Sequence, residues 1–164
     1  MSDKLGLDPE NTLYIDTKDG RIVIQLRPDL APKHVEQIKT LARKGFYDGT
    51  VFHRVIEGFM AQGGDPTGTG TGGSDLGNLQ SEFTDAKFVR GTCGMARSQS
   101  PHSANSQFFI MFEPAPHLNG QYTVWGQVVQ GMEHVDAIKR GAGGNGTVSN
   151  PDKIVKMQVA ADAS

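Results

Sequence analysis

The β-rich runs of this chain are short, and glycines or Asp-Gly turns separate them. Leu13-Tyr-Ile15 and Arg21-Ile-Val-Ile-Gln-Leu26 flank Thr17-Lys-Asp-Gly20, a hairpin signal. Further runs cover residues 50–56, 59–62, 91–96, 107–112, 122–129 and 153–159. Only two stretches carry a helical period. The first has Pro32 in its first turn, Val35, Ile38, Leu41 and Ala42 on one face, and Gly45 at its end. The second is shorter, with Met132, Val135 and Ile138 between Gly131 and Gly141. A doubly wound parallel sheet needs a helix between successive strands. Two helices that do not alternate with the strands argue against it, and towards an antiparallel barrel or sandwich with helices covering its ends. The length of 164 residues fits one domain, 1–164, with a polar, aperiodic tail over residues 1–11.

Composition narrows the function classes. Gly 21 and Pro 8 lie below the share of roughly 25–30% that marks a low-complexity chain. Eight of the glycines fall between Gly58 and Gly77, which points to a local cause. Sixteen basic against 18 acidic residues give a net charge of −2, so no basic footprint for nucleic acid exists. The longest strongly apolar run, Phe108-Phe-Ile-Met-Phe112, is far short of the ~20 residues of a membrane helix. Cys93 is the single cysteine and cannot form an internal disulfide; without an apolar leader segment either, a reduced, cytoplasmic setting is expected. Without heptads or repeats, the expectation is a monomer. Asn145-Gly-Thr147 reads as a turn.

Several apparent motifs carry no chemistry. Gly68-Thr-Gly-Thr-Gly-Gly73 satisfies the dinucleotide fingerprint but neither follows a strand nor opens a helix, so residues 65–78 read as a long surface loop. His34, His53, His102, His117 and His134 form no metal-ligand pair, and no metal or cofactor is expected. His34 and His134, on the helices, read as surface residues, and Cys93 as a small core residue.

Two segments are more specific. Phe52-His-Arg-Val-Ile-Glu-Gly-Phe-Met-Ala-Gln-Gly-Gly-Asp65 is one. The other is Met95-Ala-Arg-Ser-Gln-Ser-Pro-His-Ser-Ala-Asn-Ser-Gln-Phe-Phe-Ile110, continued by His117-Leu-Asn-Gly-Gln-Tyr-Thr-Val-Trp-Gly-Gln127. Together they strongly resemble the cyclophilins, a family of peptidyl-prolyl cis/trans isomerases, and most closely its bacterial branch; the likeness runs from about Thr12 to Val159.

The resemblance implies a mainly β fold: a closed eight-stranded antiparallel barrel capped by two α-helices, with the active site in a groove on the outer face. It implies rotation about X-Pro bonds in flexible or unfolded protein segments, assisting folding; a non-catalytic proline-peptide binder on the same fold is the alternative. Arg54 matches the family's catalytic arginine, with Phe59 and Gln62 beside it. Phe59, Met60, Phe109 and Leu118 match the proline pocket, whereas Phe108 should face the core. Ala96, Arg97 and Ser98 match a stretch whose backbone grips the peptide, so main chain is expected to matter more than charge at Arg97. Gly70, Gln107, His117 and Tyr122 complete the implied groove. His117 stands where many eukaryotic members carry a tryptophan, Tyr122 where histidine is frequent, and Trp125 at an aromatic core position. Loss of that indole implies weak cyclosporin binding.

Overall fold

The expected hairpin forms. β1 (Thr12–Thr17) and β2 (Gly20–Leu26) pair antiparallel with Thr17 opposite Gly20, and the Asp19 N–H donates to Thr17 Oγ1 at 3.2 Å inside the turn. The computed structural model describes residues 8–70, 72–100, 102–142 and 146–163; residues 1–7 of the expected tail and Asn145 of the expected turn lie outside them. Six more strands follow: β3 (Arg54–Ile56), β4 (Met60–Gly63), β5 (Thr92–Met95), β6 (Phe108–Met111), β7 (Val124–Gln130) and β8 (Lys156–Val159).

All eight join one antiparallel sheet in the order β3-β4-β6-β5-β7-β2-β1-β8. The expected closure into a barrel is not seen as a ladder: the sheet is an open, curled half-barrel with β3 and β8 as its end strands. The edge strands are only three and four residues long. Irregular chain spans the gap instead, with Gly49 N donating to Ile154 O (2.7 Å), Phe52 N to Asp152 O (2.9 Å) and Ile154 N to Thr50 O (2.8 Å).

Helix α1 (Pro32–Arg43) lays its buried face, including Val35, Ile38 and Leu41, against β8 and β7. The five-residue α2 (Met132–Asp136) packs on β2. It stops short of Ile138, which is buried just beyond its end. His34 is not a surface residue. It is fully buried, because the loop after residue 78 folds over α1 and brings Glu82 to His34 Nδ1 at 2.6 Å. His134 is half-buried, under the turn at Gly20.

Strand alternation divides the apolar residues into two clusters. On β6, Phe108 and Ile110 face one cluster while Phe109 and Met111 face the other. On β7, Trp125 and Val124 divide the same way, as do Ala61 and Met60 on β4. The larger cluster fills the inside of the curl, where Phe108 makes edge contacts with Tyr47, Phe52 and Trp125. Cys93 lies in it, fully buried, and burial pushes its thiol far up. The smaller cluster forms the floor of the outer groove.

Candidate active site

Strand register brings the groove residues together. Arg54 on β3 is paired with Gln62 on β4, Gln62 with Phe109 on β6, and Phe109 with Gly94 on β5. Directly paired residues share a face, so one row across four strands presents a cation, an amide, a ring and a gap to the same side. The β3–β4 hairpin that carries Arg54 turns at Gly58 (φ +74°), a left-handed conformation that suits glycine.

Hydrogen bonds then fix the polar end of the row. Arg54 Nη1 donates to Gln62 Oε1 at 3.3 Å, Gln62 Nε2 to Gln107 Oε1 at 2.9 Å, and Gln107 Nε2 to Gly72 O at 3.0 Å. The Gln62 amide thus accepts on one side and donates on the other, which sets its orientation and holds the guanidinium at the lip of the groove.

Beside Arg54 lies a pocket of about 120 Å³. Met60, Phe109 and Leu118 are its buried apolar wall, and Phe59 and Tyr122 close its sides. Phe109 stacks on Phe88 at 5.7 Å, and Tyr122 stands edge-on to both rings. This stack requires Gly94: a Cβ there would lie 2.6 Å from Phe109 Cζ and 2.6 Å from Phe88 Cε2. The pocket offers an apolar recess on the scale of a small ring.

A larger, polar cavity of about 530 Å³ adjoins it, and the two share Gln62, Ala96 and Arg97. Gly70, Ser98, Asn105 and Gln107 are among the residues lining the larger one. The Arg97 guanidinium lies 4.5 Å from the Tyr122 ring centroid and donates to Gln121 O, Ser98 O and Gln99 O. Its guanidinium is therefore held in the groove wall.

The glycine loop has its own anion. Asp65 is fully buried, and its carboxylate accepts from Thr67 N and Oγ1 (both 2.8 Å), Thr69 N (3.1 Å), Gly70 N (2.5 Å) and Gly72 N (3.1 Å). Burial pushes this carboxyl up, but the donors of Thr67, Gly72 and Gly70 more than reverse that and bring it to about 2. The N–H groups that a phosphate would need are directed at a side chain of the same loop. Among the described residues, no three His, Cys, Asp or Glu side chains converge as a metal site.

Twelve of the thirteen expected site residues line one cavity or the other. The exception is His117, exposed in the 3-10 turn Pro116–Leu118, whose ring lies 5.8 Å from Phe59 at the rim. Sequence reasoning missed Phe88, Gly94, Met111 and Val124, which build the floor. An interior strand glycine is itself a signal of close approach, and Gly94 carried it; Phe88 sits in a stretch without period.

Residues 12–159 match the family model described as cyclophilin type peptidyl-prolyl cis-trans isomerase/CLD. A probable peptidyl-prolyl cis-trans isomerase of Brucella suis is 58% identical over 167 residues, covering 94% of this chain and 85% of the relative. The isomerase CYP18-1 of Arabidopsis thaliana is 42% identical, covering 82% and 86%. Among solved structures, cyclophilin AquaCyp293 from Hirschia baltica is similar with TM-score 0.86 at 28% identity, over 96% of this chain and 77% of that one. A Cryptosporidium parvum cyclophilin, crystallised in the presence of the dipeptide Ala-Pro, reaches 0.84 at 31% identity, over 90% and 98%.

Proposed function

The chain belongs to the cyclophilin-type peptidyl-prolyl cis-trans isomerases, and from that premise we propose that Arg54 accelerates rotation about X-Pro bonds by donating to the proline nitrogen in the twisted transition state. The barrier to rotation is about 18–20 kcal/mol, and unaided isomerisation takes tens of seconds or longer. No bond breaks and no proton needs to move. In the planar amide the nitrogen lone pair is delocalised and accepts poorly; on twisting, the nitrogen becomes pyramidal and accepts. A fixed donor aimed there binds the transition state better than either ground state, which is what lowers a barrier.

The observation that carries this reading is the Arg54–Gln62 hydrogen bond at the lip of an apolar, ring-sized pocket. In the proposal, Met60, Phe109 and Leu118 bury the pyrrolidine ring, Phe59 and Tyr122 flank it, and Gln62 positions the guanidinium. Gly70, Ala96, Arg97, Ser98 and Gln107 bind the chain beside the proline, and His117 forms the rim. An Ala-Pro dipeptide, present with the Cryptosporidium relative, has the chemistry such a pocket fits. The substrates are flexible protein segments, the protein acts as a cytoplasmic monomer that assists folding, and the irregular seam between β3 and β8 completes the barrel.

Isomerisation kinetics of a short Ala-Pro peptide test the proposal. Arg54→Ala is expected to lower kcat/KM by about 10²-fold, the usual effect of removing one transition-state donor. An undiminished rate in that variant would refute the role given to Arg54. Cyclosporin inhibition of the same assay is expected only at micromolar or higher concentration, because exposed His117 offers less apolar area than an indole. Nanomolar inhibition would contradict this.

A further inference from the structure

Five of the seven arginines, Arg21, Arg27, Arg43, Arg90 and Arg140, pair with a carboxylate within 3.0 Å. Arg97 does not: its hydrogen bonds all go to neutral main-chain carbonyls. Nε and Nη2 donate to Gln121 O (3.2 and 2.7 Å), and Nη1 donates to Ser98 O (2.9 Å) and Gln99 O (3.4 Å). Of the five N–H donors of a guanidinium, these leave one, on Nη2. Among the described residues no carboxylate pairs with this cation, and the Tyr122 ring on one face and four hydrogen bonds keep it in place. Arg97 also lines both cavities, at their shared wall, and among the described residues no carboxylate lines either.

From this placement we infer that Arg97 is a specificity-determining residue that favours proline peptides carrying an aspartate or glutamate one or two residues from the proline, on the side that enters the larger cavity. The inference rests on the smaller pocket holding the proline. Consecutive Cα atoms are 3.8 Å apart, so a side chain at that distance along the peptide lies over the shared wall. Most exposed ion pairs gain little, because two long side chains must be ordered to make them. Arg97 is ordered beforehand, so only the peptide's side chain contributes that cost.

The test uses peptides with a single X-Pro bond and Glu, Ala or Lys at each of the two positions before and after the proline. On one side, kcat/KM for Glu is expected to exceed that for Lys by about two- to fivefold at low salt, the scale of a partly exposed ion pair. The ratio should fall toward one at 1 M salt, where the Debye length is about 3 Å. It should collapse in Arg97→Gln and shrink without vanishing in Arg97→Lys, which keeps the charge but not the four hydrogen bonds that order it. Equal rates for Glu and Lys at all four positions in the unmodified protein, or a preference that survives Arg97→Gln, would overturn the inference. If Arg97→Gln does not fold, Arg97→Met, which keeps the apolar stem and removes the charge, provides the same comparison. Failure of the underlying site assignment is separately visible, because Arg54→Ala would then leave turnover of the Ala peptide intact.

Discussion

At Gly94 a missing side chain shapes the pocket. Its row neighbours supply charge, amide and ring, while Gly94 supplies the space in which Phe88 and Phe109 stack. Gly94→Ala inserts one methyl at 2.6 Å from both rings. Overpacking of a fitted cluster costs typically 1–3 kcal/mol, and the rings can yield only toward the pocket or away from each other. The expected result is a several-fold rise in KM for an Ala-Pro peptide together with a lowered denaturant midpoint. Partial recovery of both is expected in the double variant with Phe88→Leu, which removes one of the two obstructing rings. A normal KM with lowered stability would mean that the stack supports the fold without shaping the pocket. The site's residue types were legible through the resemblance, which implies a groove position for Phe109; strand period then turns its neighbour Phe108 to the core, as the two clusters on β6 show. The space made by Gly94 was not, since it depends on which ring a different segment delivers.

Among the elements, the loop of residues 65–78 shows most clearly how a cofactor-like motif can have a structural cause. Its glycines let successive N–H groups converge on the Asp65 carboxylate, and a Cβ at Gly72 would lie 2.2 Å from Asp65 Oδ1. Gly72 then presents its carbonyl to Gln107, so the loop connects to the row that holds Arg54. Asp65→Asn replaces an acceptor by an NH₂ facing donors and is expected to cost about 1–3 kcal/mol of stability. The carboxyl's ordinary value is 3.8 and its folded value about 2. Its contribution is therefore complete above pH 3.8 and is lost as pH falls through about 2. Unfolding midpoints of the two proteins should differ most near neutrality and converge in that acid window; a constant gap would show that the charge is not the cause. Rejection of the dinucleotide reading needed only the absent strand and helix. The identity of the anion needed the structure, because Asp65 precedes the motif and nothing in its spacing marks it as buried.

For the whole molecule, the elements were readable and their assembly much less so. Eight short runs and two helices follow from local pattern, and antiparallel pairing from the lack of crossovers. In the order β3-β4-β6-β5-β7-β2-β1-β8 the β1–β2 hairpin has a local turn signal, but pairings such as β2 with β7 and β1 with β8 join segments far apart in sequence and have none. The same non-locality hid the burial of His34, which depends on Glu82, 48 residues away. It also hid the open seam, where edge strands of three and four residues are too short to close a ladder. This assembly nevertheless determines the chemistry, since Arg54, Gln62 and Phe109 meet only through strand register. In the proposed mechanism this preorganised row acts on the twisted amide and not on the ground-state peptide. That mechanism is tested most directly by NMR exchange spectroscopy on an Ala-Pro peptide at saturating concentration, with the unmodified protein and Arg54→Ala. In Arg54→Ala the cis/trans exchange rate of bound peptide is expected to fall by about 10²-fold while its affinity changes by no more than about threefold, the signature of an interaction made only in the transition state. A variant that binds peptide far more weakly yet exchanges it at the original rate once bound would contradict it.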